Sequence, residues 1–142
     1  MTVLANEGIS DKAKLRIFLR EFLGKSKNAK SCVIENQDKI ILQYSRSKET
    51  LTAFCDEPLI IHNKALGYTS NYLLEEFVKS STNLSYRGYS QFKRAEFIED
   101  IKSVRKRREI AYKGSRMEFF RLLWLGELEN SGIYTFDTIN YL

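Results

Sequence analysis

Six short apolar runs, spaced roughly ten residues apart and divided by polar turn residues, fill positions 32–92 and constrain the fold more than anything else in this chain. The runs fall at 31–35, 39–44, 50–55, 59–62, 68–78 and 84–92, and they are rich in Ile, Leu, Thr, Phe and Tyr. Such spacing suits hairpins and leaves no room for helical crossovers, so the sheet is expected to be mostly antiparallel. Asn36-Gln37-Asp38, positions 45–48 and positions 63–67 supply the turns. Pro58, the only proline, stands before Leu59, where a strand start tolerates its missing N–H. In the long run from Tyr68, strict alternation puts Tyr68, Ser70, Tyr72, Leu74, Glu76 and Val78 on the expected core face.

Helical periodicity flanks these runs. Ser10 and Asp11 mark a start, Leu15, Phe18, Leu19 and Phe22 share one face, and Gly24 ends the helix. Lys12, Lys14, Arg16 and Arg20 read as its solvated face. After Phe92 a second helical pattern runs through Phe97, Ile101 and Val104 to Ala111, and Gly114 stops it. Ser115 and Glu118 form an S-x-x-E capping box for a third helix, from Arg116 to about Leu128, closed by Asn130, Ser131 and Gly132. Its residues Phe119, Phe120, Leu122, Leu123, Trp124 and Leu125 surround most of the circumference, so coverage by another layer, the sheet, is expected. Ile133 to Phe136 reads as a short last strand or an extended tail.

The expected fold class is α+β: a mostly antiparallel sheet of about six strands flanked by an N-terminal helix and a C-terminal helical pair. With 142 residues, 43% of them hydrophobic, and no linker or repeat, the organisation reads as a loose lead-in over 1–10 and one domain over 11–142. No apolar window is long enough for a membrane span. Residues 1–10, with Asn6, Glu7 and Gly8, lack the apolar run of a secretory signal. A cytoplasmic location is therefore expected if the chain is whole as written, and a periplasmic or cell-envelope one if it is a trimmed piece.

The chemistry-bearing residues are few. His62 is the only histidine, set after Leu59-Ile60-Ile61, and reads as structural; Cys32 and Cys55 are too far apart for zinc-ligand pairs. They read as two small buried thiols, with a disulfide as the alternative in an oxidising compartment. No phosphate-cradling glycine loop or nucleophile elbow occurs. Asp56-Glu57, Glu75-Glu76 and Glu99-Asp100 are adjacent carboxylates, and neighbours on a strand point to opposite faces, which leaves a carboxylate hydrolase as a third reading. No catalytic residue, metal site or cofactor is assigned, and an enzyme is not expected.

Two binding readings remain. Nine Phe, eight Tyr and one Trp make the chain aromatic-rich, and Tyr68, Tyr72, Tyr86, Tyr89 and Tyr112 are the candidate contacts for a protein or glycan partner. Lys102, Arg105, Lys106, Arg107 and Arg108 form the basic run that a nucleic acid would use. That second reading is not favoured, since Glu96, Glu99, Asp100 and Glu109 offset the charge and no docking motif accompanies it.

A longer series of motifs runs in order along the chain: Phe22-Leu23-Gly24, Asn28-Ala29, Cys32, Ile34-Glu35-Asn36, Leu51-Thr52-Ala53 and Pro58-Leu59-Ile60-Ile61-His62-Asn63. Ala65-Leu66-Gly67-Tyr68, Tyr86-Arg87-Gly88 and Ala111-Tyr112-Lys113-Gly114-Ser115 follow, with Phe119 and Arg121. Over residues 15–136 this series resembles the C-terminal region of the carboxypeptidase-like regulatory domain proteins of Bacteroidetes. The resemblance implies a secreted or envelope-associated protein in which a transthyretin-like sandwich precedes this region. The word carboxypeptidase belongs to that sandwich, so no peptidase activity or catalytic residue is implied. Glu118 stands where the resembling proteins tend to carry His before the Phe of the last helix.

Overall fold

The computed structural model of the chain describes residues 8–95 and 101–133. The chain divides into two compact units, Met1–Glu99 and Asp100–Leu142, and each is described by itself. The lead-in residues 1–7, Phe97, and a last strand over 134–136 lie outside the described residues.

The first unit begins with α1 (Asp11–Leu23). The Ser10 hydroxyl accepts from the Ala13 N–H, and Gly24, at φ 91°, donates its N–H to the Arg20 carbonyl, so both ends are closed by the expected residues. Six strands follow: β1 (Cys32–Ile34), β2 (Ile41–Ser45), β3 (Thr50–Phe54), β4 (Leu59–Asn63), β5 (Tyr68–Lys79) and β6 (Leu84–Arg94). All pair antiparallel in one sheet. The α+β class and the placement of every strand agree with the sequence reading.

The register shows an arrangement simpler than six separate strands. β6 pairs along the whole of β5, so β4 and β3, which pair with Tyr68 to Tyr72 and Phe77 to Lys79, share the opposite edge of β5 end to end. They are halves of one strand broken between Cys55 and Pro58. β1 and β2 lie against β4 and β3 in the same way, as halves of another. Asn36 bridges both breaks: its Nδ2 donates to the Pro58 carbonyl at 3.1 Å and its Oδ1 accepts from the Ile60 N–H at 2.9 Å. Asn36→Ala should therefore cost about 1–2 kcal/mol, read by urea unfolding, because the half-buried Ile60 N–H loses its acceptor.

The core lies between α1 and one face of this sheet. Phe18, Ile34, Ile40, Leu51, Ala53, Cys55, Leu59, Leu74 and Phe77 are buried together. Phe18 meets Phe77 edge-on at 4.9 Å and stacks on Phe22 at 5.1 Å. The sequence reading of β5 fails in its second half: Phe77 is buried and Glu76 is exposed. The cause is a β-bulge between Leu74 and Glu76. Leu74 lies opposite Gly88 and Glu76 opposite Arg87, two steps on β5 against one on β6. Only an extra residue, Glu75, keeps both ends of β5 facing the core. Lys14, expected on the solvated face of α1, is buried with its ammonium on Asp11 at 3.0 Å.

The second unit is a helical pair, α2 (Ile101–Tyr112) and α3 (Arg116–Leu125). The Ser115 hydroxyl caps α3 through the Glu118 N–H. The Glu118 carboxylate reaches back one residue beyond a regular capping box, to the Gly114 N–H. α3 ends at Leu125, short of the expected 128, because Gly126 takes the left-handed conformation and the Glu127 N–H returns to the Leu122 carbonyl. None of its residues is buried, and Trp124 is 89% exposed.

Candidate functional site

β6 is the feature of the first unit that stands out functionally. It is an edge strand of 11 residues with ten exposed positions. Its pairing pattern follows from two bonds at its ends, Ser80 N–H to the Asn83 carbonyl and Ala95 N–H to the Gly67 carbonyl. Narrow pairs therefore fall on the odd-numbered residues of β6, which turn their backbone groups toward β5. The N–H and C=O groups of Leu84, Tyr86, Gly88, Ser90, Phe92 and Arg94 face the open edge. The bulge does not disturb this alternation, since the extra residue is in β5.

Exposed rings border that edge on both faces. Tyr89 and Phe92 are each 68% exposed, and Tyr89 lies opposite Leu73, itself exposed. Arg87 Nε donates to Glu75 Oε2 at 3.0 Å, tying β6 to the bulge. Of the expected contact tyrosines, Tyr89 is a surface residue, whereas Tyr86 is only partly so: its ring meets Phe22 edge-on at 5.5 Å and stacks on Phe77 at 6.5 Å. Tyr72 is half-buried against Phe22 at 5.1 Å, and burial raises its phenol pKa. Tyr68 is half-buried at the start of β5, and Tyr112 ends α2 in the other unit. The four tyrosines of the first unit thus do not form one patch. Phe92, and the edge that sequence reasoning missed, carry more of the surface.

The basic run is also divided. Lys102, Arg105 and Lys106 share an exposed helix face with Glu109, while Arg107 and Arg108 flank the buried Val104. Arg107 donates to the Ser103 hydroxyl at 3.0 Å.

His62 does not have the apolar neighbours expected of it. Its Nε2 lies 2.7 Å from Glu35 Oε2 and its Nδ1 3.1 Å from Thr69 Oγ1, in a cross-strand row of Val33, His62, Thr69 and Lys93. An acid, an imidazole and a hydroxyl thus meet, but on an open sheet surface where the His62 and Glu35 side chains are 38% and 61% exposed. Nothing in this row encloses a reacting group or aims backbone donors at one. Among the described residues no three His, Cys, Asp or Glu side chains gather as metal ligands, and no helix is long and apolar enough to cross a membrane.

A groove of about 620 Å³ lies elsewhere, between the end of α1, residues 25–30 and β1. Cys32 lines it, and both cysteines are free thiols. Cys32 Sγ donates weakly to the Asn28 carbonyl, and burial pushes its thiol pKa up. At pH 8 it holds less thiolate than an open cysteine, so iodoacetamide should alkylate it several-fold more slowly than glutathione. Mass spectrometry of the Cys32 peptide measures that rate.

Compared with known proteins, the chain matches no family model, no curated protein and no solved structure at a significant level.

Proposed function

We propose that this chain is a non-enzymatic binding module of the bacterial cell envelope that takes up an extended segment of a protein partner along β6. One observation carries the reading: an edge strand in which six alternate residues, from Leu84 to Arg94, turn their backbone groups away from β5, bordered by Tyr89 and Phe92. Strand edges of this length are normally blunted by proline, bulges or inward-pointing charge. β6 carries no proline, its neighbour carries the bulge, and of its three charged residues Arg87 is held by Glu75 while Lys93 and Arg94 stand at the C-terminal end. Residues 84–92 therefore offer main-chain bonds for affinity, with aromatic side chains on alternate faces for selectivity. A glycan would engage the rings but leave the row of backbone groups unused, which is why a protein partner is favoured.

The envelope assignment rests on the resemblance of the ordered motif series to the C-terminal region of the Bacteroidetes carboxypeptidase-like regulatory domain proteins. The non-enzymatic reading is supported by His62, which is held by Glu35 and Thr69 on an open surface.

Proline substitution separates the two edges of the strand. The Ser90 N–H faces outward, so Ser90→Pro should keep the fold and lower the affinity for an extended partner at least tenfold. Gln91→Pro removes a bond to β5 and should unfold the strand. The probe is a displayed library of random dodecapeptides, with affinity read by interferometry and folding by circular dichroism. Peptides that bind wild type and Ser90→Pro equally, or selection of glycans and not peptides, would refute strand addition.

A further inference from the structure

We infer that the groove between the end of α1 and β1 is a binding site for a single-chain carboxylate, with its alkyl chain on Leu19, Leu23 and Ala29 and its head group at Lys25 and Lys30. The volume of about 620 Å³ is ample for a medium-length chain, and the lining is mostly aliphatic. Charge selects the head group: the lining includes Arg20, Lys25 and Lys30 and no Asp or Glu. Arg20 is engaged with Glu21 at 2.7 Å. Among the described residues no carboxylate lies within ion-pair distance of Lys25 or Lys30, and Glu21, held by Arg20, attracts Lys25 only from farther away, so the lining keeps a net positive charge.

The alternatives fit less well. A neutral chain would leave both ammonium groups without a counter-charge. An extended peptide would have to pair with the open edge of β1, where the pairing with β4 turns only Cys32 and Ile34 outward. The Cys32 N–H is already donated to the Ala29 carbonyl, which leaves Ile34 alone to offer a full set of bonds. One residue does not hold a strand.

Octanoate, decanoate and dodecanoate, each below its micellar concentration, test the site by titration calorimetry against decanol and decyltrimethylammonium. The expected result is one carboxylate per chain. Each added methylene should tighten binding about two- to fourfold, up to the length that fills the groove. The double variant Lys25→Glu/Lys30→Glu should weaken binding at least tenfold with an unchanged circular dichroism spectrum. Ala29→Trp, at a half-buried position of the lining, should block the groove without unfolding the sheet. As an independent readout, decanoate should protect Cys32 from iodoacetamide. Equal binding of the cationic amphiphile, unchanged affinity in the double variant, or binding of an acidic apolar peptide where decanoate fails would overturn the assignment. Ser90→Pro leaves this site intact, so it fails or stands apart from strand addition at β6.

Discussion

Gly88→Val should destabilise the first unit by about 3 kcal/mol, the cost of overpacking against an atom that cannot rotate away. A Cβ at Gly88 would sit 2.1 Å from the Leu73 carbonyl oxygen and 2.6 Å from the Tyr72 ring. The ring could swing aside, but the carbonyl belongs to the β5 backbone next to the bulge, so the two longest strands would have to separate. Gly88 is not needed for an unusual backbone angle, because its φ is not positive. Close approach alone accounts for it, and Gly88→Ala should already show most of the loss. The melting temperature should fall on the order of 15 °C. Ser90→Ala, two residues along the same edge, should change stability by less than about 0.5 kcal/mol. Equal stability of Gly88→Val and wild type would mean that β5 and β6 do not pair as described.

Phe77→Ala should have the largest effect of any core truncation, about 3–5 kcal/mol by urea unfolding. Phe77 is 1% exposed, packs edge-on against the fully buried Phe18, and stacks on Tyr86. It joins α1, β5 and β6 in one contact. A double-mutant cycle with Phe18→Ala should return a coupling of about 0.5–1.5 kcal/mol, the part of the pair beyond simple area burial. The same experiment tests the bulge. If β5 alternated without interruption, Phe77 would face solvent opposite Leu74, and its truncation would cost well under 1 kcal/mol.

What was legible in the sequence followed locality. Ser10 and Gly24 close α1, and Ser115 starts α3, because capping needs only a side chain and the backbone of the adjoining turn. The strand positions were legible because apolar periods and turn residues recur within each short segment. The bulge left a trace that alternation alone passes over: Leu74 and Phe77 stand three apart with two glutamates between them. Gly126 likewise marked the true end of α3 inside an apolar run. The surroundings of His62 had no such trace, since Glu35 and Thr69 reach it only through pairing with two other strands.

The amino-acid order alone determined the element types, their sequence along the chain, the antiparallel class of the sheet and the scarcity of catalytic groups. The tertiary structure decided which strand lies at an edge, which half of β5 turns over, and which charges border a groove. Those properties depend on pairings between residues far apart in the chain: β6 is open only because β3 and β4 both occupy the other side of β5. No local pattern of side chains encodes that competition for an edge. It is settled when the sheet closes over Phe18 and Phe77 and β6 is left with one row of backbone groups that no other strand among the described residues pairs.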